Sequence, residues 1–333
     1  MSSPHIRQPA SVRRIMLTVL LALVPGITAY VWNIGAGILV NLAIASATAL
    51  AAEALVLKLR RRPVAITLGD GSALVTSWLI ALALPCIVPW WLTVIAVLIA
   101  IVGAKHLYGG IGQNPFNPAM IAYCAMIVAY PAIMSQWPAA GHADFASQLQ
   151  LILGGSREID GITGATALDA MRTGLRNHNE VNTILATSAF GFAGGRGWEW
   201  IAAGYFLGGC FLMAQRIISW RLPLGFIAGL GGIAALSWFI SPERFPSPLF
   251  HLASGGAMLA AFFIVTDPVT SATTPRGKLI FAAGIGIIAW VVRSFGVYPE
   301  GIAFGVLIMN ICVPWIDRHT QAAIFGQRQE RRP

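Results

Sequence analysis

Long apolar runs, parted by short polar stretches, dominate the chain. A helix needs about 20 mostly apolar residues to cross the hydrocarbon core of a bilayer. Ten runs are predicted as spans on that basis: 15–33, 36–56, 70–86, 89–104, 117–135, 196–215, 221–240, 248–266, 278–295 and 297–315. The third is weak at its start, and residues 183–195 are apolar enough for part of a further short segment. Little more than GVYPE separates the last two, which suits a tight hairpin. The pattern predicts an all-α fold, a polytopic integral membrane helix bundle of about ten transmembrane helices in a single membrane domain, 1–333. Glycines inside the runs, Gly208, Gly209, Gly225 and Gly229 among them, allow helix backbones to approach closely.

Two interruptions are unusual: KHLYGGIGQNPFNPAM (Lys105 to Met120) and TDPVTSATTPRGK (Thr266 to Lys278). Both are rich in Gly, Pro, Asn and Thr and abut apolar runs. Irregular backbone near membrane depth is tolerated where protein or a water-lined cavity satisfies it. Their places near the ends of the fourth and eighth runs suggest two related halves. Asn114, Asn117 and Asp267 supply fixed polar groups there. For Glu53 and Arg293 the simpler reading is interfacial, Glu53 paired with Lys58 about one turn away and Arg293 snorkelling to the headgroups; a proton or sodium path is the alternative for either.

Composition sharpens the class. Only 11% of the 333 residues are charged and 56% are hydrophobic, against roughly a quarter charged in a soluble domain. The net charge of +9 invites a nucleic-acid partner, but no polar domain remains to carry one. The basic residues instead punctuate the runs. Lys58, Arg60, Arg61, Arg62, Lys105, Arg216, Arg221, Arg276, Lys278 and the basic C-terminal tail fall on one side of an alternating topology, against chiefly Arg172, Arg176 and Arg244 on the other. This positive-inside pattern predicts an even number of spans, both termini cytoplasmic and residues 136–182 as a periplasmic loop. Trp90, Trp91, Trp198, Trp200, Trp220 and Trp315 near run ends fit an interfacial belt in contact with membrane lipid. The four cysteines, with no CxxC pair, read as small apolar residues, and no cleavable signal is evident at the N-terminus.

Within the predicted periplasmic loop lies DGITGATALD, Asp160 to Asp169. Gly161 and Gly164 reduce side-chain obstruction around two hydroxyls, and Asp160 is a candidate for positioning either the segment or a metal during group transfer to them. Taken alone, a threonine among glycines is a turn residue or a helix N-cap.

Together with the two interruptions and the closing run FGVYPEGIAFGVLIMN, this stretch resembles the NqrB/RnfD family of membrane flavoproteins, which serve the sodium-translocating NADH:quinone reductase and the Rnf electron-transport complex. Within that family the chain is more similar to the Rnf members. The resemblance covers nearly the whole chain. It implies a bacterial inner-membrane subunit of an oxidoreductase that couples electron transfer between NADH and ferredoxin, through flavins and iron–sulfur centres, to ion translocation. It implies FMN joined covalently to Thr166 through a phosphodiester, with Thr163 at the usual serine position of an SGAT-like motif, and Asp160, Gly161, Thr163, Gly164 and Ala165 as the surrounding site. Non-covalent riboflavin is a second cofactor of the wider family. The implied partners are subunits A, B, C, E and G of the Rnf complex and a flavin transferase for maturation. In FAGGRGWEW, Glu199 is the counterpart of an acid that relatives place after a Pro-Gly-Ser-like turn. The breaks alone also fit a small-solute channel or transporter without redox chemistry; visible flavin absorbance separates the two.

Overall fold

The computed structural model describes residues 11–110, 112–141, 144–154 and 162–321. Among them five helices are long and apolar enough to cross a membrane: Val12–Asn33, Gly37–Leu59, Arg221–Ile240, Pro275–Phe295 and Ile302–Thr320. The prediction of about ten spans is corrected to these five, and helix punctuation is the reason. Run 70–86 yields Ser72–Ala83, 12 residues. At 1.5 Å per residue that is about 18 Å, well short of a hydrocarbon core of about 30 Å. Run 117–135 is cut at Tyr130, before Pro131, leaving Pro118–Ala129 and the single turn Pro131–Met134. Run 248–266 splits around Gly255, whose φ is +63°, into Pro248–Ala253 and a piece that starts at Ala257 and becomes a π-helix over Ala260–Ile264. Run 89–104 begins as Trp90–Leu98 and widens into a second π-helix, Ile99–His106. Run 196–215 becomes the 17-residue helix Trp198–Ala214. Hydropathy measures how apolar a stretch is, whereas a span also needs an unbroken hydrogen-bond ladder. No division into two related halves is evident among the described residues either: two long helices end by Leu59 and the other three start at Arg221 or later.

Small residues set the packing. Val12–Asn33 lies along Trp198–Ala214, and Arg221–Ile240 along Pro275–Phe295. A Cβ at Gly208 would fall into the carbonyl of Ala22, and one at Gly229 into that of Ala283. These helices touch backbone to backbone, as small-residue interfaces permit. Gly208→Leu is therefore expected to destabilise the protein by the about 1–3 kcal/mol typical of overpacking, or more, seen as a lower melting temperature in detergent. Gly232→Leu, at a position with open space around it, is the control that should melt as the wild type does.

The bundle has two distinct ends. Val12–Asn33 and Gly37–Leu59 are joined by a three-residue turn, so Arg13, Arg14 and the basic run Lys58–Arg62 share one end. Arg62 there donates to the Gly109 carbonyl at 3.5 Å. The turn itself marks the opposite end: Gln148 receives from Gly37 N–H at 2.7 Å and donates to the Ile34 carbonyl at 3.0 Å. Gly141 N–H donates to Asn33 at 3.0 Å, and Trp198 stands edge-on to Tyr30, centroids 5.7 Å apart. Gly141, Gln148 and Trp198 are thus gathered at the end away from the basic run.

Two charged residues depart from their interfacial readings. Glu53 is 0% exposed and pairs with Lys105 at 2.5 Å rather than with Lys58. Arg293 is 5% exposed: it pairs with Glu300 at 2.7 Å and donates to the carbonyls of His251 at 2.6 Å and Ser254 at 3.3 Å. It is a buried clamp across the broken helix and does not snorkel.

Candidate functional site

Thr166 is the N-cap of the helix Ala167–Arg176, its backbone extended at φ −65° and ψ 157° and its Oγ1 accepting from Asp169 N–H at 3.2 Å. The local sequence explains the helix. Thr at the cap and Asp169 in the first turn suit the positive end of the helix dipole, and Arg176 suits the negative end. Ala167, Leu168 and Met171 form its buried stripe, packed with Val181, Ile184, Phe190 and Phe250 in a small core of its own. Just before the cap, Thr163–Gly164 pairs antiparallel with Trp137–Pro138, extended by a hydrogen bond from Ala139 N–H to the Ile162 carbonyl at 3.0 Å. A Cβ at Gly164 would stand 3.2 Å from that of Ala139, a tight contact in the strand pair.

Thr166 lines a cavity of about 270 Å³. Its walls are mainly apolar and come from distant parts of the chain: Trp137, Trp198, Tyr123, Met120 and Tyr298 among them. Trp137 and Trp198 meet edge to face, centroids 5.3 Å apart, and Tyr298 stacks on Phe304. Polar groups line it too. Arg172 pairs with Asp169 at 2.8 Å and donates to the Val297 carbonyl, while its Nε is buried without a partner. Glu300 also faces the cavity and accepts from Gly301 and Ile302 N–H at 2.9 and 3.3 Å.

Of the residues named from sequence, Thr166 lies at the cavity and Thr163 lies in the strand pair, outside the lining. Thr163, Gly164 and Thr166 are half-buried and Ala165 is exposed. Asp160 and Gly161 lie outside the described residues. Glu199 turns inward to accept from Ala193 and Gly194 N–H at 3.4 and 3.3 Å, a turn-capping role that accounts for its burial. Sequence reasoning missed Trp137, Tyr298, Glu300 and Arg172. Only Arg172, three residues after Asp169, carried a local signal, as an i, i+3 ion pair.

The two polar interruptions meet each other at the opposite end. Asn117 caps Pro118–Ala129, donates to Asp267 at 3.4 Å and, through its N–H, to Asn310 Oδ1 at 3.1 Å. Asn310 in turn donates to the Thr270 carbonyl at 3.0 Å. Burial pushes the Asp267 carboxyl above the usual carboxylate range, opposed by hydrogen bonds from Val269 N–H and Thr270. Asn114 donates within its own turn, to the Phe116 carbonyl at 3.0 Å.

Comparison with known proteins gives a consistent result. The family model described as NQR2, RnfD, RnfE matches residues 1–326. The chain is 45% identical over 345 residues, covering 98% of each chain, to proteins named as the D subunit of the ion-translocating oxidoreductase complex from Escherichia coli O17:K52:H18 (strain UMN026 / ExPEC) and Shigella dysenteriae serotype 1 (strain Sd197).

Proposed function

This chain belongs to the NQR2, RnfD, RnfE family, and from that premise we propose that it holds FMN covalently on Thr166 in an Rnf-type complex. Membership makes it a membrane subunit of an ion-translocating oxidoreductase assembly. The proposal extends this to electron transfer between NADH and ferredoxin, with subunits A, B, C, E and G as partners.

One observation carries the cofactor assignment: the Thr166 hydroxyl stands at a helix N-terminus on the edge of an aromatic-walled cavity. The residues present fit the group. A phosphodiester on Oγ1 would lie against the first-turn N–H groups, a favourable place for an anion, with the Arg172 guanidinium on the same wall. The apolar cavity suits a flat ring system, and flavin supplies the redox chemistry when bound. In maturation by a flavin transferase, Thr166 Oγ1 bonds to the phosphorus of FAD that stays with the FMN half. The bond to AMP breaks and the hydroxyl proton departs. Thr163, Gly164 and Ala165, with Asp160 and Gly161 before them, form the segment presented to that enzyme.

The distribution of basic residues supports a cytoplasmic assignment for the Lys58–Arg62 end and for both termini, which leaves residues 136–182 in the periplasm. A reporter fused after Arg62 and another at the C-terminus are expected to report cytoplasm, and one near Gln148 periplasm; the opposite signals would defeat the assignment.

The cofactor reading is tested on protein produced with a transferase. After acid precipitation, covalent FMN stays with the pellet and appears as an FMN-sized gain on the Thr166 peptide by mass spectrometry. Riboflavin, the proposed second and non-covalent cofactor, goes to the supernatant. A pellet without flavin would refute the attachment, and a chain with neither flavin would favour a channel or scaffold.

A further inference from the structure

The site described above uses none of the buried charge at the other end of the bundle. Glu53, in the last two turns of Gly37–Leu59, is 0% exposed, and Lys105 and His106, which close the π-helix Ile99–His106, are each 3% exposed. Lys105 Nζ reaches Glu53 Oε1 at 2.5 Å and donates to Ser72 Oγ at 2.8 Å. His106 Nε2 stands 3.2 Å from the same Glu53 oxygen. Neighbouring residues on one helix converge on a single atom here, and π-helical turns of this kind recur at functional sites.

A structural staple explains only part of this arrangement. Buried ion pairs are expensive to desolvate, and apolar residues often stabilise as well. Ionisable groups inside a membrane domain are rare and usually mark a pathway. Two features point to proton movement. Glu53 Oε2 is buried with no hydrogen-bond partner, so a carboxylate lone pair is left open in a low-dielectric setting. The His106 ring, with Nε2 on Glu53, has Nδ1 on the side of the buried Gly110; the exposed Leu107 and Tyr108 follow His106 in sequence. One ring therefore offers a second nitrogen, 3.2 Å and one ring width from a buried carboxylate, for taking up a proton.

We infer that His106 and Glu53 form a proton-transfer pair in this domain, with Lys105 as its fixed counter-charge. The inference rests on the ion-translocating reading above. A hydronium ion that reaches the ring gives a proton to His106 Nδ1, forming an N–H bond and leaving water. The Nε2–H bond breaks as that proton passes to the Glu53 carboxylate, leaving a neutral imidazole of the other tautomer. No electrons change hands. The Lys105 ammonium keeps Glu53 from trapping the proton, and Ser72, whose own N–H is held by Asp70 at 2.7 Å, fixes Lys105. Arg60, at the end of the Glu53 helix, adds a further positive charge near His106.

The test uses the assembled complex in proteoliposomes. NADH-to-ferredoxin electron transfer, proton uptake and sodium uptake are followed together, alongside redox-triggered infrared difference spectra in the carboxylic C=O region. His106→Gln preserves a hydrogen-bond donor to Glu53 but removes the second ring nitrogen. It is expected to retain electron transfer in uncoupled vesicles while proton uptake falls at least about a hundredfold, the lower end of what a lost acid–base group costs. The wild type is expected to show a buried carboxylic band that Glu53→Gln lacks. Undiminished proton uptake by His106→Gln, or the same band in Glu53→Gln, would overturn the pair. If a variant does not assemble, the wild type decides: sodium as the only cation moved, or no carboxylic band, refutes the inference. A wild-type complex with neither electron transfer nor cation uptake refutes the ion-translocating reading instead.

Discussion

Thr166→Ala is expected to abolish covalent FMN while the protein still inserts and folds. Oγ1 is the only atom of residue 166 able to carry the phosphodiester, so the loss should be complete rather than graded. The structural cost is separate and small. Oγ1 also caps Ala167–Arg176 by accepting from Asp169 N–H, and losing such a cap costs about 1 kcal/mol. The helix keeps its buried stripe of Ala167, Leu168 and Met171, so the bundle should persist. Thr166→Ser retains both nucleophile and cap and should keep the adduct, less whatever the transferase discriminates. Thr163→Ala should also keep it, because the pairing of Thr163 with Pro138 is made by backbone. In-gel flavin fluorescence after denaturation and peptide mass report all three variants, with membrane abundance measured in parallel. Fluorescence persisting in Thr166→Ala, or an adduct mapped to Thr163, would show the assignment to be wrong.

The N-cap reading and the attachment reading of Thr166 looked like rivals in the sequence, yet one hydroxyl serves both. A cap oxygen accepts a hydrogen bond, and an ester oxygen can still accept one. Local signals of this kind were legible: the cap, the small residues before it, the apolar runs that became the five long helices. What the sequence concealed is set by distance along the chain. Lys58 was the obvious partner for Glu53 because it lies one turn away, but burial brings in Lys105, 52 residues later. The cavity beside Thr166 draws walls from Trp137, Trp198 and Tyr298, and no periodicity links those positions. The span count failed for a different reason: Pro131 and Gly255 interrupt the hydrogen-bond ladder inside stretches whose hydropathy stays high.

Arg293 illustrates the same concealment and carries the largest expected stability effect. Read as a snorkelling residue it would tolerate replacement, since a solvated guanidinium leaves no partner stranded. In the fold its side chain is 2% exposed and its partner Glu300 16%. It makes four hydrogen bonds, two to Glu300 and two to carbonyls of the broken segment at His251 and Ser254. Arg293→Met removes the charge but roughly preserves the bulk. It strands the Glu300 carboxylate, and breaking one side of a buried pair costs about 3–5 kcal/mol. The two carbonyls add to the loss, being left without their donor away from water. Glu300 keeps bonds from Gly256, Gly301 and Ile302 N–H, so Arg293→Met/Glu300→Gln should recover part of the stability, and the double-mutant cycle gives the coupling. Glu300 and Gly256 also line the Thr166 cavity, so the single variant should lose flavin protection from proteolysis or solvent quenching as it loosens. Thermal unfolding of the solubilised protein is the measurement. If Arg293→Met melts with the wild type, the guanidinium reaches the headgroups after all and the clamp is not formed in the membrane.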